Sequence, residues 1–226
     1  MKVDLMLLII IFLPIIAQLK IKGTYNKYMK VKNESELTGA EAAKMILKKN
    51  GLSNVNVYET SGTLTDYYDP KKKMVVLSSD IYNSKSVSSV AVAAHECGHA
   101  IQDKENYKFL RFRSALVPIV NFTSRIAFIF IIFGFIFEAL DLLDVGIICL
   151  LVGLLFQLVT LPVEFNASTR AKDQLEICGI VRSKEKSGVK QVLSAAAFTY
   201  VAGFIAEALQ ILRLVLIQMK GYMYVV

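Results

Sequence analysis

Residues 86–104 read SVSSVAVAAHECGHAIQDK and contain both histidines of the 226-residue chain, His95 and His99. The stretch is apolar and small for most of its length before it turns polar, and serines at its start can cap a helix. On a helix, residues four apart lie on the same face, one turn above the other. The sequence therefore predicts a helix that presents two imidazoles on one face, with Glu96 beside them.

Two imidazoles in this arrangement can bind one zinc ion, and a glutamate directly after the first can reach the water that zinc activates. The His-Glu-x-x-His spacing thus predicts a catalytic zinc site, with His95 and His99 as ligands and Glu96 as the general base. A buried pair of structural histidines is the alternative interpretation.

Four apolar stretches account for a composition that is 54% hydrophobic, with a mean hydropathy of +0.48. Each is long enough, or nearly long enough, to cross a bilayer as a helix. The four stretches are 5–19, 116–137, 145–163 and 192–217. We predict four membrane helices, and we interpret the first as a retained anchor because no small-residue cleavage pattern follows it. Arg125 and Glu207, inside two of these stretches, need polar surroundings there, such as each other or a water-filled cavity.

Basic residues predict which side of the membrane the polar segments occupy, since short loops rich in Lys and Arg stay in the cytoplasm. Of the 26 Lys and Arg residues, 16 lie in 20–113 and six in 170–190. The short connection between the second and third apolar stretches is acidic, with Glu138, Asp141 and Asp144. We therefore predict a multi-pass protein of the cell membrane with both basic segments in the cytoplasm. The net charge of +7 then reflects the preference of Lys and Arg for cytoplasmic segments, and no nucleic-acid partner is predicted.

The three cysteines, Cys97, Cys149 and Cys178, are isolated and contain no CxxC pair, so neither a disulfide framework nor a zinc ribbon is indicated. Cys97 lies between the two histidines and is expected to point to the far side of the helix. Gly98 beside it would allow a neighbouring element to approach closely.

The segment between the first two apolar stretches is predicted to fold as a small α+β domain. Residues 37–52, LTGAEAAKMILKKNGL, form a helix that begins with a capping box. Residues 54–60, NVNVYET, alternate as a strand does. Residues 64–79, LTDYYDPKKKMVVLSS, are expected to form two strands around an Asp-Pro turn.

A catalytic zinc site needs a third protein ligand, and without a further histidine this ligand must be a carboxylate or a cysteine. Asp103 and Glu105 are too close to the histidines in sequence to fold back easily, and the acidic connection lies on the opposite side of the membrane. Glu164 directly follows the third apolar stretch on the predicted cytoplasmic side. A solvated carboxylate, or one paired with Arg170, is the alternative for Glu164.

Three stretches resemble the YugP-type membrane-bound neutral zinc metallopeptidases, distant relatives of HtpX. They are AAHECGHAIQD at 93–103, LTDYYDP at 64–70 and LVTLPVEFNASTRA at 158–171. The resemblance covers nearly the whole chain, including the spacing of the apolar stretches. It implies that Glu164, in the second motif of the family, is the third zinc ligand. HtpX-like enzymes have an aspartate four residues after that glutamate, where this chain has Ser168.

We therefore predict a mainly α-helical membrane protein with a small α+β, zincin-like cytoplasmic domain. Its expected parts are an anchor helix at 1–22, the α+β domain at 23–114, two membrane helices at 115–163, a cytoplasmic segment with the third ligand at 164–191, and a last membrane helix at 192–226. Its partners are the lipid bilayer and a peptide or protein substrate, membrane proteins included, and its cofactor is Zn²⁺.

The implied reaction is hydrolysis of a peptide bond, in which zinc activates water and polarises the scissile carbonyl while Glu96 transfers the proton. An edge strand at 63–68 could pair with an extended substrate. The candidates for stabilising the oxyanion are Tyr67, Tyr68, Arg170 and Tyr200.

Three other interpretations stay open. An intramembrane site-2-type protease also contains His-Glu-x-x-His, and LDVG at 143–146 faintly resembles its aspartate motif, with Asp144 as the ligand. A membrane scaffold with a non-catalytic structural zinc would need no general base. A zinc hydrolase that acts on something other than peptides would share the same site chemistry.

Overall fold

The structure, a computed structural model, describes the backbone of residues 2–225 and the side chains of residues 5–219. Helices and a few short strands follow each other along this part of the chain. The helices are α1 (Lys2–Met29), α2 (Gly39–Lys49), α3 (Ser79–Asn83), α4 (Val87–Lys104), α5 (Lys108–Ile136), α6 (Leu140–Ile177) and α7 (Lys186–Val225). The strands are β1 (Asn56–Thr60), β2 (Tyr67–Asp69) and β3 (Met74–Ser78).

The chain divides into two compact units. The helical unit comprises the chain up to Ala17, Arg111–Leu161 and the chain from Thr199 onward. The site unit comprises Gln18–Leu110 and Pro162–Phe198. The division falls inside α1, α5, α6 and α7, so each long helix contributes residues to both units. The boundaries predicted at 163/164 and 191/192 likewise lie within the continuous helices α6 and α7.

Within the described part of the chain, four helices, α1, α5, α6 and α7, are long and apolar enough to cross a membrane, as the sequence predicts. Only 6% to 22% of the residues in their most apolar windows are buried within the protein. The exposed residues include large apolar side chains such as Phe12, Phe122 and Phe128. Apolar surface of this extent is compatible with lipid rather than water. Together these helices indicate a multi-pass membrane protein.

Polar side chains within α6 and α7 pair with each other in the helical unit. Gln157 Nε2 donates a hydrogen bond to Glu207 Oε2 at 2.9 Å. A side chain at Gly153 would collide with Glu207 Oε1, so this glycine provides the space that the carboxylate occupies. The polar partner of Glu207 is therefore Gln157 rather than Arg125, the partner considered from the sequence.

The site unit contains a three-stranded mixed sheet in the order β1-β3-β2. The central strand β3 pairs parallel to β1 and antiparallel to β2. The turn between β2 and β3 is the predicted Asp-Pro turn, in which Asp69 Oδ1 accepts hydrogen bonds from the backbone N–H groups of Lys71 and Lys72. All three predicted strands are thus confirmed, and β2 lies at an edge of the sheet.

Helix α2 begins at the predicted capping box, since Glu41 N–H donates to Thr38 Oγ1 while Thr38 N–H donates to Glu41 Oε2. It ends before Gly51, whose φ of +66° is readily adopted by glycine. Its buried side chains contribute to the core that also contains the buried face of α4. The side chains of α2 in this core are Ala42, Ala43, Ile46 and Leu47.

Helix α4, which carries the two histidines, is buried along most of its length. Ser86 caps it, because Ser89 N–H donates to Ser86 Oγ at 3.0 Å and Ser86 N–H donates back to Ser89 Oγ at 2.9 Å. Cys97 is buried and its thiol contacts Ala43 O of α2 at 3.6 Å, as expected for a residue facing away from the histidines.

A neighbouring face of α4 contacts α6 at Gly98. A Cβ atom added to this glycine would lie 2.6 Å from Ala167 O, far inside ordinary contact distance. Only a residue without a side chain permits this spacing, so the predicted close approach at Gly98 is confirmed. Ala167 lies three residues after Glu164, and the contact therefore brings the turn of α6 that bears Glu164 against the helix that bears the histidines.

Candidate metal centre

His95 and His99 of α4 and Glu164 of α6 lie close together in the site unit. One candidate ligand atom from each residue lies within 4.8 Å of the others. Glu164 Oε2 is 3.2 Å from His95 Nε2 and 3.6 Å from His99 Nε2. The two imidazole rings are nearly perpendicular, with centroids 4.9 Å apart. The structure thus directs the same nitrogen of both imidazoles toward one carboxylate.

This group is largely buried, with only His95 partly exposed, and it favours positive charge. Glu164 is 2% exposed, and Glu96 and His99 are also buried. Burial raises the pKa of the Glu96 carboxyl. Burial by itself lowers the pKa of His99, but the hydrogen bond and negative charge of Glu164 outweigh it, so the pKa of His99 is raised. The space between the imidazoles and Glu164 therefore stabilises a cation, either a proton or a metal ion.

The donor atoms fit zinc. Two imidazoles and one carboxylate form the ligand set of many catalytic zinc sites. Ligand atoms about 2.0–2.2 Å from a tetrahedral zinc ion lie roughly 3.3 Å from each other. The distances of 3.2 and 3.6 Å from Glu164 Oε2 to the two Nε2 atoms are close to that separation. His95, His99 and Glu164 could therefore hold a zinc ion together.

Polar side chains also contact the other nitrogen of each imidazole. Ser168 Oγ is 3.3 Å from His95 Nδ1, and Gln102 Oε1 is 3.0 Å from His99 Nδ1. Histidines that bind a metal commonly use this second nitrogen in a hydrogen bond that orients the ring. Ser168 keeps a polar contact at the position where HtpX-like enzymes have an aspartate.

The comparison with known proteins agrees with this geometry. A family model described as "Putative neutral zinc metallopeptidase" matches residues 3–219. The chain belongs to this family. It is also 46% identical over 205 residues to the "Putative membrane protease YugP" of Bacillus subtilis (strain 168), an alignment that covers 91% of each chain. No solved structure matches the chain. The resemblance inferred from the three sequence motifs is thereby confirmed.

In this family member, two of the candidates for oxyanion stabilisation are engaged elsewhere. Tyr68 donates its hydroxyl hydrogen to Asp103 Oδ2 at 2.7 Å. Arg170 donates from Nη2 to Glu105 Oε2 at 2.6 Å and from Nε to Asn166 Oδ1 at 2.7 Å. The described partners of Arg170 are thus Glu105 and Asn166, whereas Glu164 Oε2 faces the two imidazoles.

The remaining two candidates occupy different parts of the chain. Tyr67 is exposed on the edge strand β2 of the site unit. Tyr200 belongs to the helical unit.

Two polar residues next to the candidate ligands, Gln102 and Asn166, were not predicted from the sequence. Gln102 Nε2 donates to Asn166 Oδ1 at 3.0 Å and to Val163 O at 2.8 Å. The signal for Gln102 was its position three residues after His99, which places both on one helix face. Asn166 was harder to predict from the sequence, because its role depends on which residue of α4 lies opposite it.

Proposed function

We propose that this protein is a membrane-integrated zinc metalloendopeptidase that hydrolyses peptide bonds at a site facing the cytoplasm. The observation that carries the proposal is the convergence of His95, His99 and Glu164 in one group, in which His99 and Glu164 are buried and His95 is partly exposed. Membership of a zinc metallopeptidase family supports zinc as the cofactor, and the related membrane protease supports a peptide or protein substrate.

Each residue of the site has a separate role in the proposed reaction. His95, His99 and Glu164 would hold zinc. Bound zinc supplies a Lewis acid that activates water and polarises the scissile carbonyl. Glu96 is buried beside the ligands, and its raised pKa suits a carboxylate that accepts the proton of the attacking water. The same carboxyl then delivers this proton to the leaving amine.

The arrangement is zincin-like in our proposal, because a small sheet accompanies the His-Glu-x-x-His helix. Strand β2 has β3 on one side and lies at the sheet edge. An extended substrate could add to such an edge by backbone hydrogen bonds. The observed strand Tyr67–Asp69 overlaps only the end of the edge predicted at 63–68.

A catalytic role fits the site better than a structural one. Structural zinc sites are usually closed by four protein ligands, whereas catalytic sites keep one position open. Among residues 5–219, the candidate group offers three donors. A buried glutamate next to the first histidine is also superfluous in a structural site.

The site-2-type alternative assigns the third ligand to Asp144. In the structure Asp144 accepts a hydrogen bond from Gln218 Nε2, and both residues belong to the helical unit. The candidate metal group instead contains Glu164. This difference favours the metallopeptidase with Glu164 as the ligand.

The experiment that tests the proposed function combines metal analysis with proteolysis. We expect the purified protein in detergent to contain equimolar zinc and to cleave unfolded soluble or membrane proteins. A chelator should abolish the cleavage and added zinc should restore it, because the ligands remain in place. Equimolar zinc without cleavage of any peptide substrate would contradict the peptidase and favour a scaffold or another hydrolase.

The proposed cytoplasmic location rests on the distribution of basic residues along the chain. Both basic segments, 20–113 and 170–190, lie almost entirely in the site unit, and we propose that they share one side of the membrane. Tags near residues 55 and 185 should therefore both report the cytoplasm, and a tag at residue 141 the exterior. Tags 55 and 185 on opposite sides would contradict a site made of His95, His99 and Glu164.

A further inference from the structure

Gln102 has a fully buried side chain that hydrogen-bonds in three directions. Its exposed fraction is 0%, which is unusual for a glutamine. Oε1 contacts His99 Nδ1 at 3.0 Å, while Nε2 donates to Val163 O at 2.8 Å and to Asn166 Oδ1 at 3.0 Å. The partners therefore lie on both helices that provide the candidate metal ligands.

The orientation of this carboxamide follows from the chemistry of its partners. The Val163 carbonyl can only accept a hydrogen bond, so the Gln102 nitrogen must face it. The contacts of Asn166 independently require the same orientation of the Gln102 carboxamide. The Arg170 side chain can only donate, so Asn166 presents its oxygen to Arg170 Nε at 2.7 Å, and that oxygen also accepts from Gln102 Nε2.

With its nitrogen directed to α6, Gln102 presents an oxygen to His99. That oxygen can only accept, so Nδ1 of His99 must carry a hydrogen. The neutral ring then has its lone pair on Nε2, the atom that lies 3.6 Å from Glu164 Oε2. A lone pair facing a carboxylate oxygen is the arrangement that a metal ion between them requires.

His95 has no comparable constraint. Its Nδ1 is 3.3 Å from Ser168 Oγ, and a hydroxyl can either donate or accept. The hydroxyl therefore leaves both tautomers of His95 available, whereas the amide of Gln102 selects one tautomer of His99.

Gln102 also fixes the position of the third ligand. Its two bonds to α6 reach Val163 and Asn166, which precede and follow Glu164 in the chain. The same side chain thus connects the ring of His99 with the helical turn that carries Glu164.

We propose that Gln102 is a positioning residue that holds His99 as the Nδ1–H tautomer and sets Glu164 opposite its Nε2, within a hydrogen-bond chain that starts at Arg170. This inference rests on the proposed function, because it concerns how the same site holds its metal.

Three variants test the role of Gln102. Gln102→Met keeps the length of the side chain but removes its hydrogen bonds. Gln102→Glu keeps an oxygen acceptor toward His99 Nδ1 whether or not its carboxyl is protonated. Gln191→Met is the matched control, since Gln191 is exposed on α7 of the site unit and bonds only to Ser187 among the described side chains.

Two measurements separate positioning from packing. Zinc affinity is measured by competition with a chromogenic chelator, and ¹⁵N NMR of labelled histidine reports the tautomers. The spectra are simple because the chain has only two histidines. We expect Gln102→Met to weaken zinc binding by about 10–100-fold and to remove one protected Nδ1–H signal. Gln102→Glu should retain that signal and bind zinc more tightly than Gln102→Met, and Gln191→Met should match the wild type.

Three results would overturn the inference. They are wild-type zinc affinity in Gln102→Met, equal losses in the Met and Glu variants, and loss of the Nδ1–H signal in Gln102→Glu. A wild-type protein that binds no zinc would instead contradict the proposed function. In that case the NMR comparison, made on metal-free protein at a pH where both imidazoles are neutral, still decides the role of Gln102.

Discussion

Glu96→Gln is expected to retain zinc and to lose at least about a hundredfold in peptide-bond hydrolysis. The two side chains have nearly the same shape, so the buried position can accommodate the amide. Glu96 lies outside the group of three candidate ligands, and zinc binding should therefore persist. The amide cannot accept a proton from the attacking water. Measurement of kcat/KM together with zinc content separates these two effects.

Glu59→Gln provides the control for this variant. Glu59 is also a glutamate of the site unit, but it is exposed on β1 and accepts a hydrogen bond from Asn83 at 3.0 Å. We expect its replacement to leave both zinc and turnover at wild-type values. If Glu96→Gln cleaved substrate as fast as Glu59→Gln, Glu96 would have no part in the mechanism and the structural-zinc scaffold would gain support.

Local features of the fold could be predicted from the sequence because they depend on neighbouring residues. The caps of α2 and α4 involve residues three apart, Thr38 with Glu41 and Ser86 with Ser89. The contact between α6 and α4 could be predicted only in part. Gly98 indicated that another element would approach α4 closely, but the sequence did not identify that element as α6.

The ends of the long helices could not be predicted from hydropathy. The apolar stretch of α6 stops at Val163, yet the helix continues to Ile177. Helix formation depends on backbone hydrogen bonds and propensity rather than on apolar character alone. The residues after Val163 include Ala, Glu, Arg, Lys and Gln, which favour a helix in water as well. Glu164 consequently sits in mid-helix.

The polar residues around the metal group depend on contacts between distant parts of the chain. Arg170 had two candidate roles from the sequence, as a partner of Glu164 or of the oxyanion. The structure pairs it with Glu105 and Asn166 instead. Nothing local distinguishes these possibilities, because 65 residues separate Arg170 from Glu105. The histidine pair was recognisable because both members lie on one helix.

Glu164→Ala is expected to lose zinc and all turnover while the protein still inserts into the membrane. Glu164 supplies one of three candidate ligands, and Glu164 Oε2 is the atom that faces both imidazoles. Two histidines alone bind zinc far more weakly than a three-ligand site. Alanine favours a helix, and the apolar stretch before it is unaltered, so α6 should still form. Zinc content, membrane fractionation and proteolysis are measured on the same preparation.

Glu176→Ala is the matched control on the same helix. Glu176 is exposed and accepts from Lys186 Nζ at 2.7 Å, a surface ion pair whose loss costs about 0–1 kcal/mol. We therefore expect it to bind zinc and cleave substrate as the wild type does. Zinc loss in Glu176→Ala with zinc retained in Glu164→Ala would show that the third ligand is misassigned. His95 and His99 would remain candidate ligands after that result, because their placement on one face of α4 does not depend on Glu164.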